Sequence, residues 1–266
     1  MKTIIPLLVV LFVISSCKND VQLSNPESVC YLEDTKTHIV SNYGNGSIVK
    51  VVGNKKKAFV SGYSPFMGIA YQDGKVYVAE DVETGDDYIR VFDVKTTKEL
   101  SAIKVIGSQQ LNDVVLDSKG NLYVSDRNDH KIYKIDLKQG SYEVISENMI
   151  NTPNGLYLLE KENKLLVCNT VLESSVYSLD LSSLEMALVH STNYPHFDGI
   201  TVDNQGNIYV SSWAADWSSS KLLKFVDGKP TVVYENNGMA DISYNPTTNK
   251  IDVANFYENA IQSIGL

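Results

Sequence analysis

Six positions recur along this chain at intervals of 40 to 45 residues: Glu27, Met67, Asn112, Asn154, Asp198 and Ala240. Four of them carry hard oxygen donors, two as carboxylates and two as amides. Gathered at one point, such a set with a charge of about −2 suits a divalent cation such as Ca²⁺, Mg²⁺ or Mn²⁺. No histidine or thiolate stands at any of the six, which disfavours a dedicated zinc site. The same polar residues could instead cap strand starts and bind water in a wet channel. Which chemistry applies depends on the elements that position them.

Each of the six positions opens the same local pattern. A small residue and an apolar, β-branched run follow, as in DGITVD and NDVVLD, then a polar turn, then a second strand such as IYVSS or LYVSD. A third strand follows in every unit (SIVKVV, YIRVFDV, KIYKIDL, SVYSLDL, KLLKFV, AIQSIGL), and a weaker fourth closes the first five. No segment downstream of the leader has a helical apolar period. Four strands every 40 to 45 residues is the pattern of a propeller blade. The chain is therefore predicted to be all-β, a six-bladed β-propeller of four-stranded antiparallel blades over residues 26–266. Blade six lacks a fourth strand, and Val21-Gln22-Leu23 is expected to supply it, closing the ring and covering an exposed edge. In this architecture the six repeated positions ring one mouth of the central channel. The ends of the second strands are expected to ring it as well: Asn42, Glu80 with Asp81, Asp126, Asn169, Ser212 with Trp213, and Asn255.

The leader is a separate matter. Lys2 precedes an apolar stretch, Ile4 to Ile14, too short to span a bilayer stably. Ile14-Ser15-Ser16-Cys17 resembles the lipobox of a bacterial lipoprotein precursor. That resemblance implies a signal peptide over residues 1–16, a lipidated Cys17 and a linker to residue 25; an ordinary signal peptide is the alternative. A lipid anchor implies export and attachment to the cell envelope. Lys18 after the cysteine, in place of the aspartate associated with inner-membrane retention, favours the outer membrane or the surface. The net charge of −9 excludes a nucleic-acid partner, which needs a basic face. A monomer is expected. Cys30 and Cys168 lie in apolar runs of different repeats and are expected to be buried free thiols.

The motifs Pro26-Glu27, Asn112-Asp113 opening VVLDSKGNLYVSD, Pro153-Asn154-Gly155-Leu156 and Asp198-Gly199-Ile200 opening TVDNQGNIYVSS, in that order and spacing, resemble the gluconolactonase / senescence marker protein / luciferin-regenerating-enzyme family. The resemblance implies a metal on Glu27, Asn154 and Asp198, Ca²⁺ first with Mg²⁺, Mn²⁺ or Zn²⁺ as alternatives, and Asn112 beside it near the substrate. Two departures stand out. Ser28-Val29-Cys30-Tyr31 replaces the family's glycine and nearby tryptophan, and Gln110 replaces an arginine that holds sugar hydroxyls. The opening pattern is similar to a bacterial lipoprotein branch of these propellers.

The implied reaction is hydrolysis of a lactone or sugar-derived cyclic ester, with a small-molecule substrate. Asp198 is expected to be ligand and general base, with Asp126 or Glu80 as the alternative base. Asn112 and Asn169 are expected to orient substrate oxygens. Trp213 and Trp217 flank a loop over the mouth and form either a stacking platform or simple loop packing. His196, two residues from Asp198, could face the same space. The alternative function is a non-enzymatic envelope propeller that binds a glycan, peptide or protein, because a propeller does not by itself imply catalysis.

Overall fold

The computed structural model describes residues 21–266; Cys17 and the leader lie outside the described residues. Six antiparallel sheets follow one another around an axis, five of four strands and the last of three. In each, sequence order is spatial order, inside to outside. The inner strands are Pro26–Leu32, Phe66–Gln72, Leu111–Leu116, Pro153–Leu159, Phe197–Val202 and Met239–Asn245. The hydrophobic core is divided among the seams between blades; Phe66, Phe92 and Ile39, for example, share one cluster. Two of the turns between first and second strands repeat one device. Asp117 accepts from the backbone N and side-chain Nδ2 of Asn121, and Asp203 does the same with Asn207. Tyr123 and Tyr209 then donate to the same carboxylates, which explains the shared D-x-x-G-N-x-Y spacing.

Each inner strand carries one residue too many for its partner. In blade two, Phe66 pairs with Glu80 and Ile69 with Val78, so Met67 and Gly68 together oppose Ala79. The same bulge falls at Glu27-Ser28, Asn112-Asp113, Asn154-Gly155, Asp198-Gly199 and Ala240-Asp241. A bulge breaks side-chain alternation and re-aims two consecutive residues. The residue opposite each bulge is small: Ser41, Ala79, Ser125, Cys168, Ser211 or Ala254. In alternate blades its hydroxyl receives the N–H of the second bulge residue and donates to the main-chain carbonyl of the next blade's repeated position. Ser125 thus links Asp113 N (3.0 Å) to Asn154 O (2.7 Å), and Ser211 links Gly199 N (2.8 Å) to Ala240 O (2.7 Å).

The segment expected to close the ring is not itself a strand. Among the described residues no strand precedes Pro26, and Val21 to Leu23 are irregular. Leu23 is instead buried between blades one and six, against Val29, Val40 and Ala254. The seam is completed by hydrogen bonds: Asn25 N to Asn259 Oδ1 (2.6 Å), His38 Nε2 with Asp252 Oδ2 (3.0 Å), Thr247 Oγ1 to Glu33 Oε1 (2.8 Å), and Ser28 Oγ to Asp241 Oδ2. Cys30 and Cys168 are free thiols, the second buried and the first half-buried.

Crowding at the axis is testable. A Cβ on Gly155 would sit 2.4 Å from the Asp198 carbonyl oxygen and 2.8 Å from Ile200 N. Gly155→Ala is expected to lower stability by about 1–3 kcal/mol in urea unfolding, the usual cost of overpacking. Gly265→Ala, whose added Cβ meets nothing within 4 Å, should change stability by less than about 0.5 kcal/mol. Equal midpoints for the two variants would contradict the close approach.

Candidate active site

The bulged residues gather at one end of the axis. Glu27, Met67, Asn112, Asn154 and Asp198 line a cavity of about 320 Å³. A second ring sits outside them: Tyr43, Arg127, Thr170, Trp213 and Phe256, with Gln110, Trp217 and Tyr257 completing the wall. Each member of the second ring follows the residue that pairs with the start of its blade's inner strand, as Arg127 follows Asp126 and Phe256 follows Asn255.

Trp213 lines the cavity as expected, but elsewhere this register corrects the sequence expectation by one residue. Adjacent residues on a strand face opposite ways, so a slip of one exchanges mouth and interior. Asp126 and Asn169, expected at the mouth, are absent from the cavity wall. Asp126 is fully buried, and its carboxylate accepts the backbone N–H groups of Gln109 (2.9 Å), Gln110 (3.0 Å) and Asp129 (3.1 Å). Asn169 donates to Asn151 O (3.2 Å) and accepts from Ser175 N (2.8 Å). Glu80 accepts from Ser64 N (3.0 Å) and pairs with Arg90 (2.6 Å). In the same way Asn42 accepts from Ser24 N and Ser212 donates to Pro195 O. In each of these blades the residue ties the second strand to the segment entering the inner strand. These are braces for the mouth, and their side chains are committed to the backbone.

The carboxylates near the axis are electrostatically unsatisfied. Glu27 is pushed well above the usual carboxylate range, by burial first and then by Asp198 and Asp241, against the pull of Arg127. Among the described residues no donor reaches its carboxylate. Asp198 is raised by burial, opposed by the Trp213 indole, whose Nε1 donates to Oδ2 at 2.7 Å, by Arg127 and by the Asn154 amide. The second bulge residues add two carboxylates that the sequence reading passed over. Asp113 accepts from Val114 N (2.7 Å) and Leu156 N (2.6 Å), and burial raises it to about 7. Asp241 accepts from Ile242 N (2.7 Å) and Ser28 Oγ, and is raised well above its ordinary value by burial and by Asp113. Both line a wider depression of about 620 Å³ at the opposite end of the inner strands. Their only advance signal was the carboxylate directly after a repeated position.

The cavity has two unlike walls. Trp213, Trp217, Phe256 and Tyr257 form one, with ring centroids 5.3 to 6.2 Å apart around Trp213. His196 is not part of the lining. Its ring stacks on Trp217 at 4.2 Å, so it supports the platform from behind, and its Nδ1 is buried without a partner. The other wall is blade three, where Asn112, Gln110 and Arg127 meet. Arg127, Tyr43, Phe256 and Tyr257 were missed because each sits in a connection of irregular composition, identifiable only once the strand ends are in register.

The donor chemistry at the floor fits a hard cation. Among the described residues no group of three His, Cys, Asp or Glu gathers as a metal centre. The floor instead combines two carboxylates with the Asn154 amide, an all-oxygen set of the kind Ca²⁺ takes. A family model described as "SMP-30/Gluconolactonase/LRE-like region" matches residues 25–235. The chain belongs to this family.

Solved structures agree at the level of fold. A gluconolactonase from Xanthomonas campestris is similar with a TM-score of 0.74 at 15% identity, over 90% of this chain and 85% of that one. A Bacteroides thetaiotaomicron protein of unknown function reaches 0.73 at 15% identity, over 91% and 69%. A luciferin-regenerating enzyme reaches 0.65 at 16% identity, over 87% and 84%. No curated protein matches the chain in sequence.

The raised carboxylates fix the sign of a pH dependence. Glu27, Asp113, Asp198 and Asp241 ionise less readily folded than unfolded, so the folded state binds extra protons above about pH 4. Their stabilising contribution is full below the unfolded carboxylate range and is lost as pH rises through the folded values, about 7 at Asp113. With divalent cations chelated, the urea midpoint is expected to fall between pH 5 and pH 8. Asp241→Asn should reduce that fall, each such group contributing at most about 1.4 kcal/mol per pH unit. A wild-type midpoint that climbs over this interval would overturn the assignment.

Proposed function

We propose that the cavity hydrolyses a cyclic ester, with Glu27, Asn154 and Asp198 holding a divalent cation, Ca²⁺ first and Mg²⁺, Mn²⁺ or Zn²⁺ as alternatives. One observation carries the reading. Three oxygen-bearing side chains from blades one, four and five meet in a single cavity, where burial raises both carboxylates and Asp198 raises Glu27 further. Membership of a family that includes gluconolactonases points the same way. Bound there, such a cation supplies Lewis-acid polarisation of a carbonyl and acidifies a bound water.

The chain's own residues do the remainder. Asp198 takes the proton of the attacking water. Trp213 holds its Oδ2 from one side, which fixes the carboxylate plane. Asn112, on the facing wall, holds ring oxygens of the substrate. The aromatic wall covers one face of the ring and excludes water from it. Cys17, by the same proposal, tethers the propeller to the envelope.

The test combines metal analysis with a panel of sugar and simple lactones. Wild-type protein is expected to retain a divalent cation and to lose turnover with EDTA. Asp198→Ala is expected to lower kcat/KM by at least about 100-fold, the scale of a general base, and to weaken cation retention. Full metal binding without turnover of any lactone would leave a binding propeller as the better reading.

A further inference from the structure

The chain has two arginines, and they are treated oppositely. Arg90 pairs with Glu80 at 2.6 Å and Glu99 at 3.3 Å. Arg127 has no carboxylate within ion-pair distance among the described residues, although it lines the active-site cavity. Its Nε is buried with no hydrogen-bond partner. A buried donor left unpaired is costly unless a ligand completes it.

The guanidinium is nonetheless held in place. Arg127 Nη1 donates to Gln110 Oε1 at 3.3 Å. Gln110 Nε2 in turn donates to Asp81 Oδ2 at 3.0 Å, which settles the orientation of the amide and turns its oxygen towards the arginine. Backbone Arg127 N donates to Gln110 O at 2.9 Å, locking the two segments together. The chain Asp81–Gln110–Arg127 thus presents a fixed cation from blade three. Blade six, which carries Phe256 and Tyr257, faces it across a ring of six.

Charge selects the ligand group. The ionisable residues of the cavity wall are Glu27, Asp198 and Arg127, besides the tyrosines. With a divalent cation on the two carboxylates, the guanidinium is the one charge left without a counterpart. An unpaired, planar, preorganised guanidinium matches a carboxylate. We infer that Arg127 selects a substrate bearing a carboxylate beside its cyclic ester, a lactone of a sugar diacid or similar acid, whose ring face lies on the aromatic wall. The lactone part of this inference rests on the proposed hydrolase; the carboxylate preference stands on Arg127 alone.

Two matched pairs separate these parts. D-glucaro-1,4-lactone and D-glucono-1,4-lactone differ by a carboxylate in place of a hydroxymethyl group. Methyl α-D-glucopyranosiduronate and methyl α-D-glucopyranoside differ in the same way and contain no ester to cleave. With Ca²⁺ present, the carboxylated member is expected to be favoured by about tenfold or more, in kcat/KM for the first pair and in Kd by calorimetry for the second, on the scale of one charge-assisted contact. Arg127→Met should abolish both preferences. Arg127→Lys, which keeps the charge and loses the fork, should retain part of them and serves if the Met variant fails to fold. Arg127-dependent preference for the uronoside without turnover of any lactone would uphold the carboxylate site and sink the hydrolase. Equal affinity for the two glycosides together with equal turnover of the two lactones would overturn the inference.

Discussion

Six backbones converge on one axis, and each brings one residue more than its partner strand can pair. The bulge is the constraint on which the mouth depends. A regular strand would present alternate residues to the axis. The bulge presents two in succession, the first to the mouth and the second deeper in the channel. The second position has little room: Gly155 and Gly199 are there because a side chain would strike the neighbouring inner strand. Where the residue is Asp113 or Asp241, its carboxylate is accommodated by accepting main-chain N–H groups. The hydroxyls of Ser125 and Ser211 then fasten the bulges of blades three and five to the next blade.

What could be read from the sequence follows from this geometry. The repeated positions were legible because a polar or small residue before an apolar run recurs at a near-constant interval, and all six fall second in their inner strands. Blade number and strand order follow from the same period. Outside Trp213, which does line the cavity, the outer ring was misplaced by one residue, because the end of a strand has no register until its partner is known. Asp126 and Asn169 are polar residues at strand ends, the usual look of a site, yet their hydrogen bonds go to the entering segment. Arg127 and Phe256, one residue further on, look like loop residues and face the mouth. The closing segment is a different case: among the described residues Val21 to Leu23 form no strand, and Leu23 packs into the core between blades one and six.

The braces and the lining divide labour within single dipeptides. Asp126-Arg127 is the clearest case. The aspartate gathers two backbone N–H groups of the entering loop, at Gln109 and Gln110, and one from Asp129 in its own turn, and the entering loop's Gln110 in turn aims Arg127. Ser212-Trp213 repeats the arrangement in blade five. Ser212 ties down Pro195, beside His196, while Trp213 reaches Asp198. A side chain that never meets a ligand thereby sets the angle of one that lines the cavity.

Charge along the axis is arranged at two depths, and the depths differ in how they are satisfied. The deeper pair, Asp113 and Asp241, has donors from the main chain and from Ser28. Protonation or hydrogen bonding alone can keep such groups in place. The mouth pair is different. Asp198 has one strong donor from Trp213, and Glu27 has none among the described residues, yet Glu27 is the carboxylate most exposed to the influence of the other three. Burying an ionisable group without a partner opposes folding, so the fold bears a cost at Glu27 that, among the described residues, only the distant pull of Arg127 offsets. A positive charge between Glu27 and Asp198 removes that cost, and it also releases Arg127 from its role as the cavity's sole counter-charge. The proposed cation site and the guanidinium would thus be coupled: filling the first would turn the second from an internal compensator into a group free to bind substrate.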